Sequence, residues 1–444
     1  MPGPTPAAMR LLLALALAAP ALAQDALGVL PMRARAAVHD AWLEERLETV
    51  VPALMRREGI DLWVVTAREY NEDPVIETML PATWLSARRR TVLVFHDTGD
   101  AVERLAVARY DVGPFPRAWD PGTQPDQWAR VAEVVAERDP ARIGLHTSAT
   151  FALGDGLTAS ERDGLLAALA PRYRDRVVSA ERLAVGWLET RTPSELAVYP
   201  SVVRLARSVL HEGLSEAAIT PGVTTTDDLA WWYRQRVRDL GLSAWFHPGV
   251  SVQRADAGER DGDFSGRDDA AVIRPGDLVW VDFGIEYLGL HTDTQQMAYV
   301  LRPGETSAPA GLVAGLAAAN RAQDLLTDAF ATGRSGNDVL AAALDAAGAE
   351  GLDATIYTHP IGLHGHGAGP TIGLWDQQGG VPGRGDYPLY PNTAHSIELN
   401  VAAPVAEWGG QRVRFMLEED AVFDGQAVTY LDGRQTELLL IPRR

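Results

Sequence analysis

Apolar and polar positions along this chain follow two rhythms, and the switches between them mark out two bodies. Residues 34–57 carry a helical spacing of apolar positions that ends in "MRREGI". "DLWVVTA" (61–67), "RTVLVFH" (90–96) and "RIGLHT" (142–147) are short apolar runs of the kind that form strands. Helical spacing returns at 125–137 and 158–170. Strands alternating with helices predict a small α/β domain over 25–188. A junction is expected at "ETRTPSELAVY" (189–199), where Thr192-Pro193-Ser194-Glu195 has turn and helix-start character. Beyond it the pattern predicts helices at 195–218 and 226–240 and a loop-rich segment at 241–276. Strands at 277–287 and 293–301 follow, then helices at about 308–330 and 336–350. The remainder, 355–444, is strand and Gly/Pro-rich loop, so an α+β second domain is expected over 195–444. No internal repeat marks a solenoid.

The first residues belong to neither body. "MRLLLALALAAPALAQ" (Met9 to Gln24) has one basic residue, a short apolar run and a closing Ala21-Leu22-Ala23, the build of a secretory signal peptide cleaved after residue 23. The run is too short to span a bilayer comfortably, and no other segment is long and apolar enough to do so. The mature protein is therefore expected to be secreted or periplasmic, with no membrane span. The 444 residues, 46% hydrophobic and 22% charged, have a globular composition. A net charge of −19 without a long basic run argues against a nucleic-acid partner. The absence of cysteine excludes disulfides, thiolate nucleophiles and zinc–thiolate sites, leaving His, Asp and Glu as metal ligands.

Chemistry concentrates in the second body. "VDFGIEYLGLHTDTQQ" (281–296) places Asp282 and Asp293 eleven positions apart in a strand-like stretch, where a carboxylate is costly unless something positive meets it. "THPIGLHGHGAGPTIG" (358–373) carries His359, His364 and His366; "HSIELNV" places Glu398 between apolar neighbours; "FMLEEDAVF" does the same for Glu418. Taken singly, each has an ordinary reading as a solvent-facing strand residue or a loop histidine. Together they form an oxygen-rich set with nitrogen, suited to hard or borderline divalent ions, manganese before zinc. Four carboxylates are more charge than one ion needs, which points to a pair of ions activating a water for hydrolysis.

In order and spacing these residues resemble the pita-bread-fold metallopeptidases of family M24: methionine aminopeptidase, Xaa-Pro aminopeptidase, prolidase and creatinase. Asp282 and Asp293 match the family's aspartate pair, His359 to His366 its H-x-x-G-x-x-x-H element, and Glu398 and Glu418 its two glutamates. The resemblance covers about 195–444. It implies a C-terminal pita-bread catalytic domain preceded by a smaller α/β creatinase-type domain, a layout on the Xaa-Pro, prolidase and creatinase side. It further implies two divalent metal ions, manganese rather than zinc, cobalt or iron, held by Asp282, Asp293, His359, Glu398 and Glu418. Asp293 and Glu418 would bridge the ions, Asp282 would chelate one, and His359 and Glu398 would hold the other. Glu398 would also be the base for a metal-bridging water, and His366 would bond the substrate carbonyl or oxyanion. The expected activity is hydrolysis of short proline-containing peptides, as an aminopeptidase or dipeptidase, by a homodimer.

Two features qualify that expectation. Family hydrolases carry a further histidine upstream of the first aspartate, but "DGDFSGRDD" (261–269) has none; His247 in "WFHPGVSVQ" is the nearest candidate for this substrate-binding role, against a packing role beside Trp245 or Phe246. A creatinase-like C–N hydrolase or lyase acting on a small zwitterion, or an inactive binding protein on the same fold, therefore stays open. Arg384, fourteen residues before Glu398, sits where prolidase-like members hold the substrate carboxylate; the alternative is a loop arginine paired with Asp386. In "REYNEDP" (68–74), a turn built by Asn71 and Pro74 is the simpler reading than a cap over a neighbouring subunit.

Overall fold

The computed structural model describes residues 28–255 and 270–442; the expected leader and the window 261–269 lie outside the described residues. Helix α1 (Met32–Glu58) serves both bodies, because Trp42 joins the core of the second while Leu43, Leu47 and Val51 join that of the first. The first body is a five-stranded sheet of β1 (Leu62–Arg68), β2 (Arg90–Asp97), β3 (Val102–Val107), β4 (Ile143–Leu145) and β5 (Val177–Ser179) in the order β3-β2-β1-β4-β5. Successive strand residues face opposite ways. Leu62 and Val64 of β1 therefore meet α2 (Gln127–Arg138) and α3 (Ala159–Ala168), while Trp63 and Val65 meet α1 and α4 (Glu181–Glu189). After β1 the chain turns at Asn71, whose amide donates to Arg68 O, and Asp73 caps the short helix that Pro74 opens.

The junction is held by charge as well as by turn chemistry. Thr192 and Glu195 close a capping box at the start of α5 (Pro193–Gly213). Buried Arg46 of α1 meets both Glu195 carboxylate oxygens at 3.0 Å and the carbonyls of Thr190 and Trp187, so the same glutamate caps one helix and ties it to another. Burial lowers the Arg46 pKa to about 10, with the Glu195 charge opposing that shift.

The sheet of the second body follows α6 (Thr226–Asp239). Its nine-stranded sheet holds β6 (Gly249–Gln253), β7 (Leu278–Phe283), β10 (Thr294–Val300), β11 (Asp353–Ile356), β12 (His359–Ile361), β13 (Thr393–Val405), β14 (Gln411–Phe423), β15 (Val428–Tyr430) and β16 (Leu439–Ile441). A two-stranded ribbon, β8 (Glu286–Tyr287) and β9 (Leu290–His291), separates β7 from β10. The main path runs β11-β13-β14-β10-β7-β6. Along β7, Val279, Val281 and Phe283 pack toward α5 and α6, while Leu278 and Trp280 pack toward α7 (Ala310–Asp328) and α8 (Gly336–Ala349). The mixed α+β architecture agrees with the sequence reading. Four strands escaped it: β6, which lies in the segment read as loop, β3, an edge strand whose charged residues interrupt the apolar pattern, and the short β5 and β9.

Candidate metal centre

The register of the second sheet draws one transverse row across five strands. Gly249 of β6 stands opposite Asp282 of β7, Asp282 opposite Gln295 of β10, Gln295 opposite Glu418 of β14, and Glu418 opposite Glu398 of β13. Residues directly opposed in an antiparallel pair share a face with Cβ atoms about 5 Å apart. Asp293, two positions before Gln295, falls on that face by the strand period. Gly289, at φ 75°, makes the turn that lets the eleven-residue excursion return beside β7. His359 of β12 stands opposite Ser396, two residues from Glu398 on β13.

The row gathers three groups of potential ligands whose donor atoms lie within 4.8 Å of one another: Asp293, His359 and His366; His359, Glu398 and Glu418; Asp282, Asp293 and Glu418. Burial pushes the carboxyls of Asp282, Asp293 and Glu398 well above the usual range, and the Glu418 charge is the next cause at each. Asp282 Oδ1, Asp293 Oδ1 and His359 Nε2 are buried without a hydrogen-bond partner. The His359 ring approaches Pro360 O through Nδ1 at 3.0 Å; a proton on Nδ1 leaves the Nε2 lone pair toward Asp293 Oδ2 at 3.6 Å and Glu418 Oε1 at 3.4 Å. These separations are long for hydrogen bonds. Orphaned oxygens, a presented imidazole nitrogen and crowded negative charge are what divalent cations would satisfy, so the donor set fits them.

Surrounding bonds orient the set. Ser396 Oγ donates to Glu418 Oε1 at 2.6 Å, Gln295 Nε2 donates to Glu398 Oε1 at 2.6 Å, and the Asp293 amide donates to the Asp420 carboxylate. Sequence reasoning passed over Gln295, Ser396 and Asp420. Two consecutive glutamines inside a fully buried strand were the available signal for the first.

His366 is the exposed member of its group. Its ring lies 4.7 Å from that of His359 and 5.2 Å from that of Trp245. Desolvation, then the neighbouring His359 and Arg384 charges, lower its pKa to about 4. The same Arg384 charge acts on Tyr357, whose ring lies 5.8 Å from that of His359. Among the described residues no ion pair joins Arg384 to Asp386, which accepts instead from Asn337 Nδ2 and the Gly383 amide. His364 turns away toward His291, with ring centroids 6.3 Å apart. His247 is absent from the three groups: its ring packs 5.0 Å from that of Trp231 on α6, and its Nδ1 lies 3.5 Å from Arg234 Nη1.

Residues 201–418 match the model of metallopeptidase family M24. No curated protein matches the chain. Among solved structures it is similar to the X-Pro aminopeptidase of Thermotoga maritima MSB8, with a TM-score of 0.62 and 17% identity over 87% of this chain and 99% of that one. It is similar to the dipeptidase PepE of Mycobacterium ulcerans, with a TM-score of 0.61 and 21% identity over 91% and 99%. Aminopeptidase P of E. coli gives a TM-score of 0.60 and 13% identity over 89% and 95%. At these identities the likeness is one of fold.

Proposed function

This chain belongs to metallopeptidase family M24, and we propose that it is a dinuclear, manganese-preferring peptidase that cleaves short Xaa-Pro peptides outside the cytoplasm. Asp282, Asp293, His359, Glu398 and Glu418 hold the two ions in this reading. The observation that carries it is the overlap of the three ligand groups, any two of which share a residue, an arrangement suited to adjacent ions. Bound there, divalent cations would polarise the scissile carbonyl and supply a nucleophilic water at neutral pH.

The chain's own groups do the rest. Glu398 Oε2 accepts from no described residue, so it is free to take the proton of the attacking water and pass it to the leaving prolyl nitrogen. With its low pKa, His366 is neutral near pH 7 and donates its remaining N–H to the carbonyl oxygen as charge develops there. The Arg384 guanidinium, free of Asp386, receives the carboxylate of a short substrate. Trp245 and Tyr357 flank His366. Export through the leader, and assembly as a homodimer, complete the proposal.

A panel of Xaa-Pro dipeptides and tripeptides with Mn²⁺ tests it. Hydrolysis that Glu398→Ala abolishes supports the reading. Metal-loaded protein inert to the whole panel contradicts it and favours a small zwitterionic substrate or a binding role.

A further inference from the structure

Within the row Gly249–Asp282–Gln295–Glu418–Glu398, the only side chain able to donate a hydrogen bond in its usual ionisation state is that of Gln295. It is 1% exposed and stands directly between Asp282 and Glu418. Its orientation follows from an asymmetry in its neighbours. The Trp280 indole can only donate, and its Nε1 lies 3.1 Å from Gln295 Oε1. The amide nitrogen must therefore point the other way, where it donates to Glu398 Oε1 at 2.6 Å. The Glu398 backbone is fixed separately: its N–H donates to Thr358 Oγ1, and that hydroxyl donates to Glu398 O. Backbone and one carboxylate oxygen are thus both held, and Oε2 alone is left without a bond from a described residue.

We propose that Gln295 is a positioning residue for Glu398. The Trp280–Gln295–Glu398 chain occupies Oε1 and presents a single oxygen, Oε2, to the cation and the water. It also supplies the one neutral donor among the row's carboxylates, so that Glu398 acts in the His359–Glu398–Glu418 group without turning toward Asp282. Removing the donor would leave Oε1 buried and unpaired, and the carboxylate would rotate to recover a partner. The inference rests on the dinuclear reading and deepens it at one of the two cation positions.

Calorimetric titration with Mn²⁺ alone, paired with electron paramagnetic resonance, tests it. Gln295→Met keeps side-chain length without a donor, and Gln295→Met combined with Trp280→Phe also removes the indole N–H that would otherwise lose its acceptor. Wild type should bind two Mn²⁺ and show an exchange-coupled pair. Both variants should keep one site, lose about 10- to 100-fold in affinity at the other, and show an uncoupled Mn²⁺ signal. The loss should stay confined to one site in both variants, whatever the packing change at Trp280 does to the metal-free melting temperature. Two sites of wild-type affinity in Gln295→Met would overturn the proposal. So would an equal weakening of both sites, since that is a structural role. Wild type that binds no Mn²⁺ would instead overturn the dinuclear reading and the inference with it.

Discussion

Replacing Glu418 with glutamine should stabilise the metal-free chain while removing its capacity to hold two ions. The Glu418 charge raises the pKa of Asp282, Asp293 and Glu398 alike, second only to burial. Donor atoms in these groups lie within 4.8 Å of one another. Two unit charges at that distance, with an effective dielectric constant of about 20, repel by about 3.5 kcal/mol. The metal-free site relieves part of this by retaining protons, at about 1.4 kcal/mol per unit of pKa displacement. Neutralising Glu418 should therefore return on the order of 2 kcal/mol. Glutamine preserves the volume and still accepts from Ser396 Oγ, so no cavity offsets the gain. Scanning calorimetry in chelator should show the variant melting a few degrees above wild type. In saturating Mn²⁺ the order should reverse, because at a hundredfold excess over Kd a retained site adds about 2.7 kcal/mol. A metal-free variant that melts at or below wild type would refute the reasoning, since the carboxylates would then not be in mutual repulsion.

Three further outcomes follow from the same geometry. Glu189 is buried, accepts from Tyr387 Oη at 3.0 Å, and is pushed up to about 8, chiefly by burial. Its folded pKa exceeds its unfolded one, so its stability contribution is full below about pH 4.5 and is lost as pH rises through 8. Glu189→Gln should flatten that loss, on the order of 3–5 kcal/mol between pH 5 and 9 by chemical denaturation; an unchanged slope would rule the group out. Arg46→Met leaves Glu195 buried without its main partner and should cost about 3–5 kcal/mol, most of it recovered when Glu195→Gln is added. A Cβ at Gly365 would lie 2.4 Å from the Trp245 ring, which packs on His366. Gly365→Ala should lower kcat/KM about tenfold or more through displacement of that ring, with full metal content by mass spectrometry.

The long helices α1, α5, α7 and α8 were legible because their apolar period and their start and stop residues are local. The proposed ligands were visible as residue types in strand-like context, and the structure brings their donor atoms within 4.8 Å in overlapping groups. The row was not: it depends on β10 pairing with β14, more than a hundred residues away, and a pairing shifted by one residue would have turned each carboxylate to the other face. For the same reason Gln295 was passed over: its partner Glu398 lies two strands away on β13. β6 was hidden in a Gly- and Asp-rich stretch and is defined by its pairing with β7. The freedom of Arg384 depended on Asn337, a residue on α8 that takes Asp386 instead.

Metal content of the chain after reconstitution with Mn²⁺ tests the central claim most directly. The account predicts two equivalents bound by wild type and no more than one by Glu398→Ala or Glu418→Ala. Wild-type protein that retains no manganese, zinc, cobalt or iron after gentle preparation and reconstitution would contradict it.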